Sequence, residues 1–480
     1  MQHSIADTAP GSDLSALWRR AAELGIGFRA GIADRPQRPQ AGYHEMREAF
    51  AAPTPEDGAP AAQVIEDLAR LAEPGLHAMT GPRFFGWVIG SSHPAGVAAD
   101  WLTSAWGQNC GNHHATPAAA AVEEVAARWL LDLLRLPADC SVGFVTGATI
   151  ASFVGLAAAR SEVLRRAGWD VEAKGLFGAP EIRVLIGDDA HTSVFSALQF
   201  LGLGHDRVVR VATDRNGRID AAAFARAVAA GEGPLIAIAQ AGQLNTGAID
   251  PVAEMAPLVQ AQGGWLHVDG AFALWARACP ETAALAEGLE LADSWATDGH
   301  KWLQTPYDCG YAITRHPEAH RRAMTIAASY LPAAEAGDRD PSHYVPELSR
   351  RARGFATWAI IKTLGRAGIA EMVGRHCRLA RRMAATLGAT SGITILNDVT
   401  LNQVILSFGA GRGDEAGDRL TQQVIETIQR DGALFAGGAR WRGRWVMRLS
   451  VISGQMTEAD ADRATAAILK AWDEVRGDNA

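Results

Sequence analysis

The first residue of this chain whose surroundings suit it for chemistry is Lys301. It follows His300 within Asp293–Ile313, with Gly299 before the pair and Trp302, Leu303, Pro306, Tyr307, Cys309 and Gly310 after it. Most lysines sit on wet surfaces. One held among apolar and small residues gives up its proton more readily, because burial disfavours the ammonium form. The uncharged amine attacks carbonyl carbon and forms a Schiff base. The same stretch also reads as a half-buried lysine whose stem packs while its head reaches water.

Three other stretches share that logic. Thr146-Gly147-Ala148-Thr149 follows a short apolar run and opens a helix. Small residues let backbone amides approach a phosphate, Thr149 adds a hydroxyl, and a helix N-terminus favours an anion; a plain strand-to-helix turn has the same appearance. His191, in Asp188-Asp189-Ala190-His191-Thr192-Ser193, sits where a strand gives way to a helix, so its imidazole can lie flat on an aromatic ring. The alternative is capping by Asp189 or Thr192, with His191 merely exposed. Asp269 ends the apolar run Trp265–Val268 and precedes Gly270 and Ala271. A buried aspartate needs a partner, and the protonated ring nitrogen of pyridoxal phosphate is one; a capping Asp without ligand is the other reading. The order is phosphate turn, stacking His, pyridinium Asp, Schiff-base Lys. The 32 residues from Asp269 to Lys301 (301 minus 269) leave room for a helix and a strand in a right-handed crossover. Gly202-Leu203-Gly204 lacks the third glycine and the preceding strand of a nicotinamide site.

These residues need elements to position them. From about Phe84 the pattern predicts strands at 142–145, 182–186, 207–211, 235–239 and 265–268, alternating with helices at 149–160, 191–202, 221–230 and 251–262. Such alternation implies a mainly parallel sheet covered on both faces, with functional residues at the carboxyl ends of the strands. Residues 1–80 read as helices joined by Pro- and Gly-rich connectors, with no core of their own and a face for packing on a second subunit. Residues 81–365 form the large α/β domain. Residues 366–480 form a smaller α+β domain, with strands at 393–396, 404–408 and 445–450 and helices at 368–387, 418–431 and 457–475, the last opened by Thr457 and Asp460 in a near capping box.

Composition sets outer bounds. The chain has 480 residues, 48% hydrophobic and 20% charged, an ordinary globular balance. A net charge of -8 argues against nucleic acid as main partner. No run of 18 apolar residues occurs, so no membrane span is expected. The N-terminus has neither the basic region nor the apolar core of a signal peptide. Five scattered cysteines (Cys110, Cys140, Cys279, Cys309, Cys377) never take CxxC spacing, which points to reduced thiols in a cytoplasmic protein and no cysteine zinc site.

With these residues in view, the chain resembles the group II pyridoxal-phosphate-dependent amino acid decarboxylases, which include aromatic-L-amino-acid, glutamate and histidine decarboxylases. The resemblance runs from about Pro82 to Asp460 and is carried by PRFFGWV (82–88), residues 116–137, the GAT turn, residues 188–204, GAIDP (247–251), HVDGAF (267–272), DGHKWLQTPYDCG (298–310), RRARG (350–354) and MRLS (447–450). It implies the aspartate-aminotransferase-like fold (fold type I), a seven-stranded mainly parallel sheet plus a small C-terminal α+β domain, and a homodimer with active sites at the interface. It also implies pyridoxal phosphate as cofactor and an L-amino acid as the small-molecule substrate, with no metal. Residue by residue, Lys301 is the Schiff-base lysine, Asp269 pairs with the ring nitrogen and His191 stacks on the ring. Ala148 and Thr149 hold the phosphate with His300 beside it, and Thr246 touches the cofactor. Trp87 and Val88 fall where the family lines its side-chain pocket, with His113 and His114 expected near the neighbouring site.

The chain departs from the family pattern in places. The phosphate turn is one residue short, Ile150 stands where an acidic or polar residue is usual, and Gln243-Leu244-Asn245-Thr246 replaces paired threonines, leaving Gln243, Asn245 and Thr246 as alternatives to face the cofactor hydroxyl. His113 and His114 have the residue types of a metal site, but no third ligand lies in reach by sequence, so no metal is expected there. The segment from Tyr330 to Arg350 reads as a mobile loop. The resemblance makes it a catalytic loop whose tyrosine protonates the product carbon, with Tyr344 the candidate and His343 the alternative. An amino acid decarboxylase is the favoured reading. An oxygen-dependent aldehyde-forming relative or a carbon–carbon lyase is the runner-up, and a non-catalytic paralogue would have lost Lys301 or Asp269. Trp87 with Phe84 and Phe85 suggests a flat or apolar substrate side chain, and His113 with His114 a polar one.

Overall fold

The computed structural model describes residues 12–325 and 338–478. The N-terminal segment holds α1 (Ser12–Ala30), α2 (Tyr43–Phe50) and α3 (Ala61–Ala72). The large domain follows with α4 (Pro94–Trp106), α5 (Pro117–Leu133), β1 (Ser141–Val145), α6 (Ala148–Arg166), α7 (Val171–Lys174), β2 (Arg183–Gly187), α8 (Thr192–Phe200), β3 (Val209–Val211), α9 (Ala221–Ala229), β4 (Leu235–Gln240), α10 (Val252–Ala261), β5 (Trp265–Asp269), β6 (Ser294–Asp298), β7 (Gly310–Thr314) and α11 (Pro317–Met324). Then α12 (Gly354–Gly388) leads into β8 (Ile393–Ile395), β9 (Gln403–Phe408), α13 (Asp414–Asp431), β10 (Gly437–Trp441), β11 (Arg444–Ser450) and α14 (Glu458–Asp478).

The large sheet has seven strands in the order β1-β7-β6-β5-β4-β2-β3. All pairs are parallel except those of β7, which runs antiparallel to both β1 and β6. Alternate residues feed opposite faces, as the two-residue period of a strand requires. Val184, Ile186, Ile236 and Ile238 pack with α6 and α8, while Leu185, Ala237 and Ala239 pack with α5, α9 and α10. Both faces are therefore covered, and the parallel strands read as continuous apolar runs. A second sheet, ordered β10-β11-β9-β8, forms the small domain with α13 and α14. The chain crosses to it along α12, whose helix is broken at Gly365 (φ 62°, ψ 179°).

Three sequence expectations change here. The crossover from Asp269 to β6 holds no α-helix but 3-10 turns at Ala273–Ala278, Ala283–Ala286 and Leu289–Leu291. Pro280 and the left-handed Gly288 (φ 85°) interrupt the periodicity that an α-helix needs. Strand β10, glycine-rich and without alternation, is imposed by its pairing with β11. The segment read as a mobile loop lies partly outside the described residues (330–337), and its remainder is docked. Arg339 lies over the Tyr344 ring at 4.6 Å, the Tyr344 carbonyl accepts a hydrogen bond from His320 Nε2 at 2.9 Å, and Gly143 of β1 runs so close that a Cβ there would fall 2.1 Å from that carbonyl oxygen. Arg350 ends the segment in a buried two-pronged pair with Glu123 of α5, at 2.7 and 2.8 Å. Pro and Asp made this stretch look loose; buried ion pairs hold it.

Three histidines are buried as neutral rings. His267 Nδ1 meets Ser294 Oγ at 2.8 Å, and His320 Nδ1 meets Ser141 Oγ at 2.8 Å. His376 Nδ1 accepts from Trp302 Nε1 at 3.0 Å while its Nε2 donates to the Ser453 carbonyl at 2.8 Å. Burial pushes all three down to about 3. Each unfolded ring titrates near 6.5, so their stabilising contribution is full above that pH and is lost as pH falls from about 6.5 towards 3. In that window three protons separate the unfolded from the folded state. Unfolding free energy measured by denaturant titration is expected to fall by about 4 kcal/mol per pH unit from these groups. Replacing one of them with Gln should remove roughly a third of that slope; an unchanged slope would mean the ring is not held neutral.

Candidate functional site

The carboxyl ends of β1, β2, β4, β5 and β6 open onto one cavity of about 510 Å³. This is the edge where parallel α/β sheets place their ligands. Lys301 stands on a π-helical turn (Gly299–Leu303) directly after β6. Its Nζ lies 3.2 Å from Asp298 Oδ2. The other oxygen of Asp298 accepts the Ala148 main-chain N–H at 2.6 Å, and His300 Nε2 is 3.5 Å from it. Asp298 is 2% exposed, so both partners matter to its charge. The turn itself is fixed from below. A Cβ on Gly90 would lie 2.2 Å from the Lys301 carbonyl oxygen, and Gln304 Nε2 donates to that same carbonyl at 3.1 Å.

His300 accepts the Cys309 N–H on Nδ1 at 3.2 Å, which leaves Nε2 as the protonated nitrogen, on the side of Asp298 Oδ1. Burial lowers its pKa, Asp298 opposing. The Tyr307 ring stacks on it with centroids 4.2 Å apart. Gly147 caps α6 in an extended conformation, and a Cβ on it would meet His300 Cε1 at 3.0 Å and Asp298 Oδ1 at 3.2 Å. Ala148, Thr149 and Ile150, the first turn of this 19-residue helix, line the cavity.

Asp269 is buried and accepts one N–H, from Ala271 at 3.3 Å. Among the described residues no cation comes within ion-pair distance of it. Burial raises its pKa, with His191 and Lys301 acting the other way. His191 accepts the Ser193 N–H on Nδ1 at 3.2 Å, capping α8 with its own ring while lining the cavity, and burial lowers its pKa. The capping alternative for this stretch therefore involves His191 itself. Asp189 instead accepts from Arg442 of the small domain at 2.8 Å.

This donor set fits pyridoxal phosphate. Asp269 is a buried carboxylate with an acceptor to spare, suited to a protonated ring nitrogen. The α6 N-terminus, the Thr149 hydroxyl and the His300 N–H suit a phosphate. Lys301 supplies the amine.

Eight sequence candidates thus share one cavity: Trp87, Val88, Ala148, Thr149, His191, Asp269, His300 and Lys301. Others do not join them. Thr246 is buried and turned inward, its hydroxyl donating to the Asn216 carbonyl at 2.5 Å. Gln243 accepts the N–H of Asn245 at 2.6 Å and of Thr246 at 3.1 Å, so the polar side chains of this turn hold the turn together. The cavity-facing residues there are Gln240, Gly242 and Leu244. His113 is tied to Asp340 at 2.7 Å and His114 is exposed; neither lines this cavity. Tyr344 and His343 also lie off it, Tyr344 edge-on to His320 and His343 3.8 Å from Asp340. Sequence reasoning missed Asp298, Gln240 and Tyr307. Asp298 had a signal: it ends an apolar strand as Asp269 does and sits three residues before Lys301.

The pyridoxal-dependent decarboxylase conserved domain matches residues 44–408. Aromatic-L-amino-acid decarboxylase of Sus scrofa is 28% identical over 472 residues, covering 94% of this chain and 93% of that one. Aromatic-L-amino-acid decarboxylase of Bacillus atrophaeus is 25% identical over 454 residues, covering 93% and 92%. Oryza sativa TDC, solved with PLP and tryptamine, superposes with a TM-score of 0.91 at 23% identity over 98% of this chain and 99% of that one.

Removing the Asp298 carboxylate should strand both of its partners. Asp298→Ala is expected to lower the stability of the cofactor-free protein by about 3 kcal/mol in denaturant titration, and Asp298→Asn, which still accepts the Ala148 N–H, by less. An Asp298→Asn variant as stable as the unaltered protein would show that the charge pairing with Lys301 contributes nothing.

Proposed function

Since the chain belongs to the pyridoxal-dependent decarboxylase family and so removes carbon dioxide from an L-amino acid, we propose that its substrate carries a flat, apolar side chain. One observation carries this reading: Trp87, Val88, Ile150, Leu244 and Phe272 make the cavity wall beyond the cofactor groups mainly apolar, its polar members Ser193 and Tyr307 are uncharged, and Lys301 is the one ammonium or guanidinium group among the described lining residues. An anionic side chain would be desolvated there without a partner. Trp87 stands at the rim, 52% exposed, its ring 5.3 Å from Phe435, which stacks on Phe84 at 4.9 Å. A flat side chain would add to that aromatic group. The relatives named aromatic-L-amino-acid decarboxylases support the same choice.

Pyridoxal phosphate, when bound, supplies an electron-withdrawing ring that takes up the electron pair left as carbon dioxide departs. The chain's own residues prepare for this. Lys301 is the amine that holds the cofactor, kept in place by Asp298. Asp269 keeps the proton on the ring nitrogen. His191 would cover the ring face and keep water from it. Thr149, the α6 N-terminus and His300 hold the phosphate. Tyr344 and His343, docked on their own sheet, serve the proton to the product carbon only in a site completed by a second subunit.

That requirement agrees with a homodimer. Helices α2 and α3 bury no residue on their own subunit, and Trp18, Ile26, Trp101 and Trp106 are exposed. Apolar area of this extent suits an interface. The five cysteines are free and buried, in keeping with a cytoplasmic setting.

Holoenzyme incubated with each amino acid in turn should release carbon dioxide and amine fastest from aromatic ones; preference for an acidic one would overturn the reading. Lys301→Ala is expected to abolish the visible absorbance of the bound cofactor together with turnover. Aldehyde, ammonia and peroxide in place of amine would identify the oxygen-dependent alternative. Sedimentation at low micromolar concentration is expected to give a dimer, and a stable, active monomer would contradict it.

A further inference from the structure

Gln240 ends β4 directly beside Asp269, its partner across the β4–β5 pair. It is 7% exposed and lines the cavity. Its main chain is clamped by Asp250, whose carboxylate accepts the Gln240 N–H at 2.6 Å and whose own N–H donates to the Gln240 carbonyl at 3.0 Å. Its side chain is clamped as well: the amide oxygen accepts the His191 main-chain N–H at 3.0 Å. A main-chain N–H only donates, so the atom facing it is the oxygen and the amide NH₂ takes the other side. None of the hydrogen bonds among the described residues uses that Nε2, and it is not sealed off from the cavity. Gln240 therefore presents two oriented protons without an acceptor, in a wall where an unmet donor is costly.

The sheet order indicates what meets them. In the order β1-β7-β6-β5-β4-β2-β3, the α6 N-terminus follows β1 and Lys301 follows β6, on one side of Asp269, while Gln240 lies on the other. A pyridoxal ring with its nitrogen at Asp269 and its phosphate at α6 turns its opposite edge towards β4. That edge carries the ring hydroxyl oxygen. We infer that Gln240 Nε2 donates a hydrogen bond to this oxygen and holds it in its anionic form. Gln240 is then a cofactor-tuning residue, and through its amide oxygen it also fixes the His191 main chain over the same ring.

The inference rests on the placement of the cofactor between α6 and Asp269, but the two fail separately. Lys301→Ala should remove the visible band, whereas Gln240→Leu should keep it and move its pH midpoint. A donor to the anionic oxygen lowers the midpoint, so its loss raises it. Absorbance titration of holoenzyme is expected to show a rise of about one to two pH units in Gln240→Leu. Gln240→Glu still accepts the His191 N–H but sets a negative oxygen against the ring oxygen, and should raise the midpoint further. A midpoint unmoved in both variants overturns the inference. A measurement on the unaltered protein guards against misfolded variants: 3-deoxypyridoxal phosphate, which lacks the oxygen, should bind about tenfold more weakly than pyridoxal phosphate. Equal binding of the two would also overturn it.

Discussion

The carboxylate of Asp298 joins the two halves of the site. One oxygen holds the first N–H of α6 and the other holds the Lys301 amine, across 150 residues of sequence. Neither contact survives unless β6 ends beside β1, and the intervening β7 lets that happen by running antiparallel to both. A Cβ on Gly310 of β7 would press on the Gly147 main chain at 2.5 Å, so the phosphate turn and the lysine turn close over a strand end with no room for a side chain. The parallel topology brings Asp269, Gln240 and His191 to the same edge without further help.

The small domain is tied into this edge at several points. Gln304 bridges the Lys301 carbonyl and the Ile452 carbonyl, and accepts the Gly454 N–H at 2.9 Å. Trp302, next to Lys301, donates to His376 on α12, which donates in turn to Ser453. Arg448 of β11 reaches the Leu244 carbonyl at 2.7 Å, and Ser450 donates to the Trp87 carbonyl at 2.5 Å. The substrate-facing rim and the lysine turn are thus both gripped by strand β11 and the segment after it, so the cavity wall and the chemistry cannot drift independently.

Much of this was legible in the sequence, for a physical reason. Lys301, Asp269 and His191 lie at the ends of apolar strands, and period-two or continuous apolar runs followed by small residues mark such ends well. The parts that were not legible depend on contacts distant in sequence. Thr246 carries a hydroxyl of the right type, but the turn around it closes on its own polar groups and points the neighbouring Leu244 outward instead. Asp298 resembled any strand-end aspartate until Ala148 and Lys301 were seen on either side of it. The segment after residue 338 looked loose because Pro, Ser and Asp dominate it, while its anchors, Glu123 and His320, belong to other elements.

Gly90 carries no group that could react, yet a Cβ on it would fall 2.2 Å from the carbonyl oxygen of the residue 211 positions later (301 minus 90). Any side chain there would have to lift the turn that carries the lysine. Position 90 therefore belongs to the reactive centre in the language of sequence variation. An alanine at this point, conservative by every chemical scale, would remove activity with every reacting group intact, and a survey of variants confined to the cavity lining would overlook it.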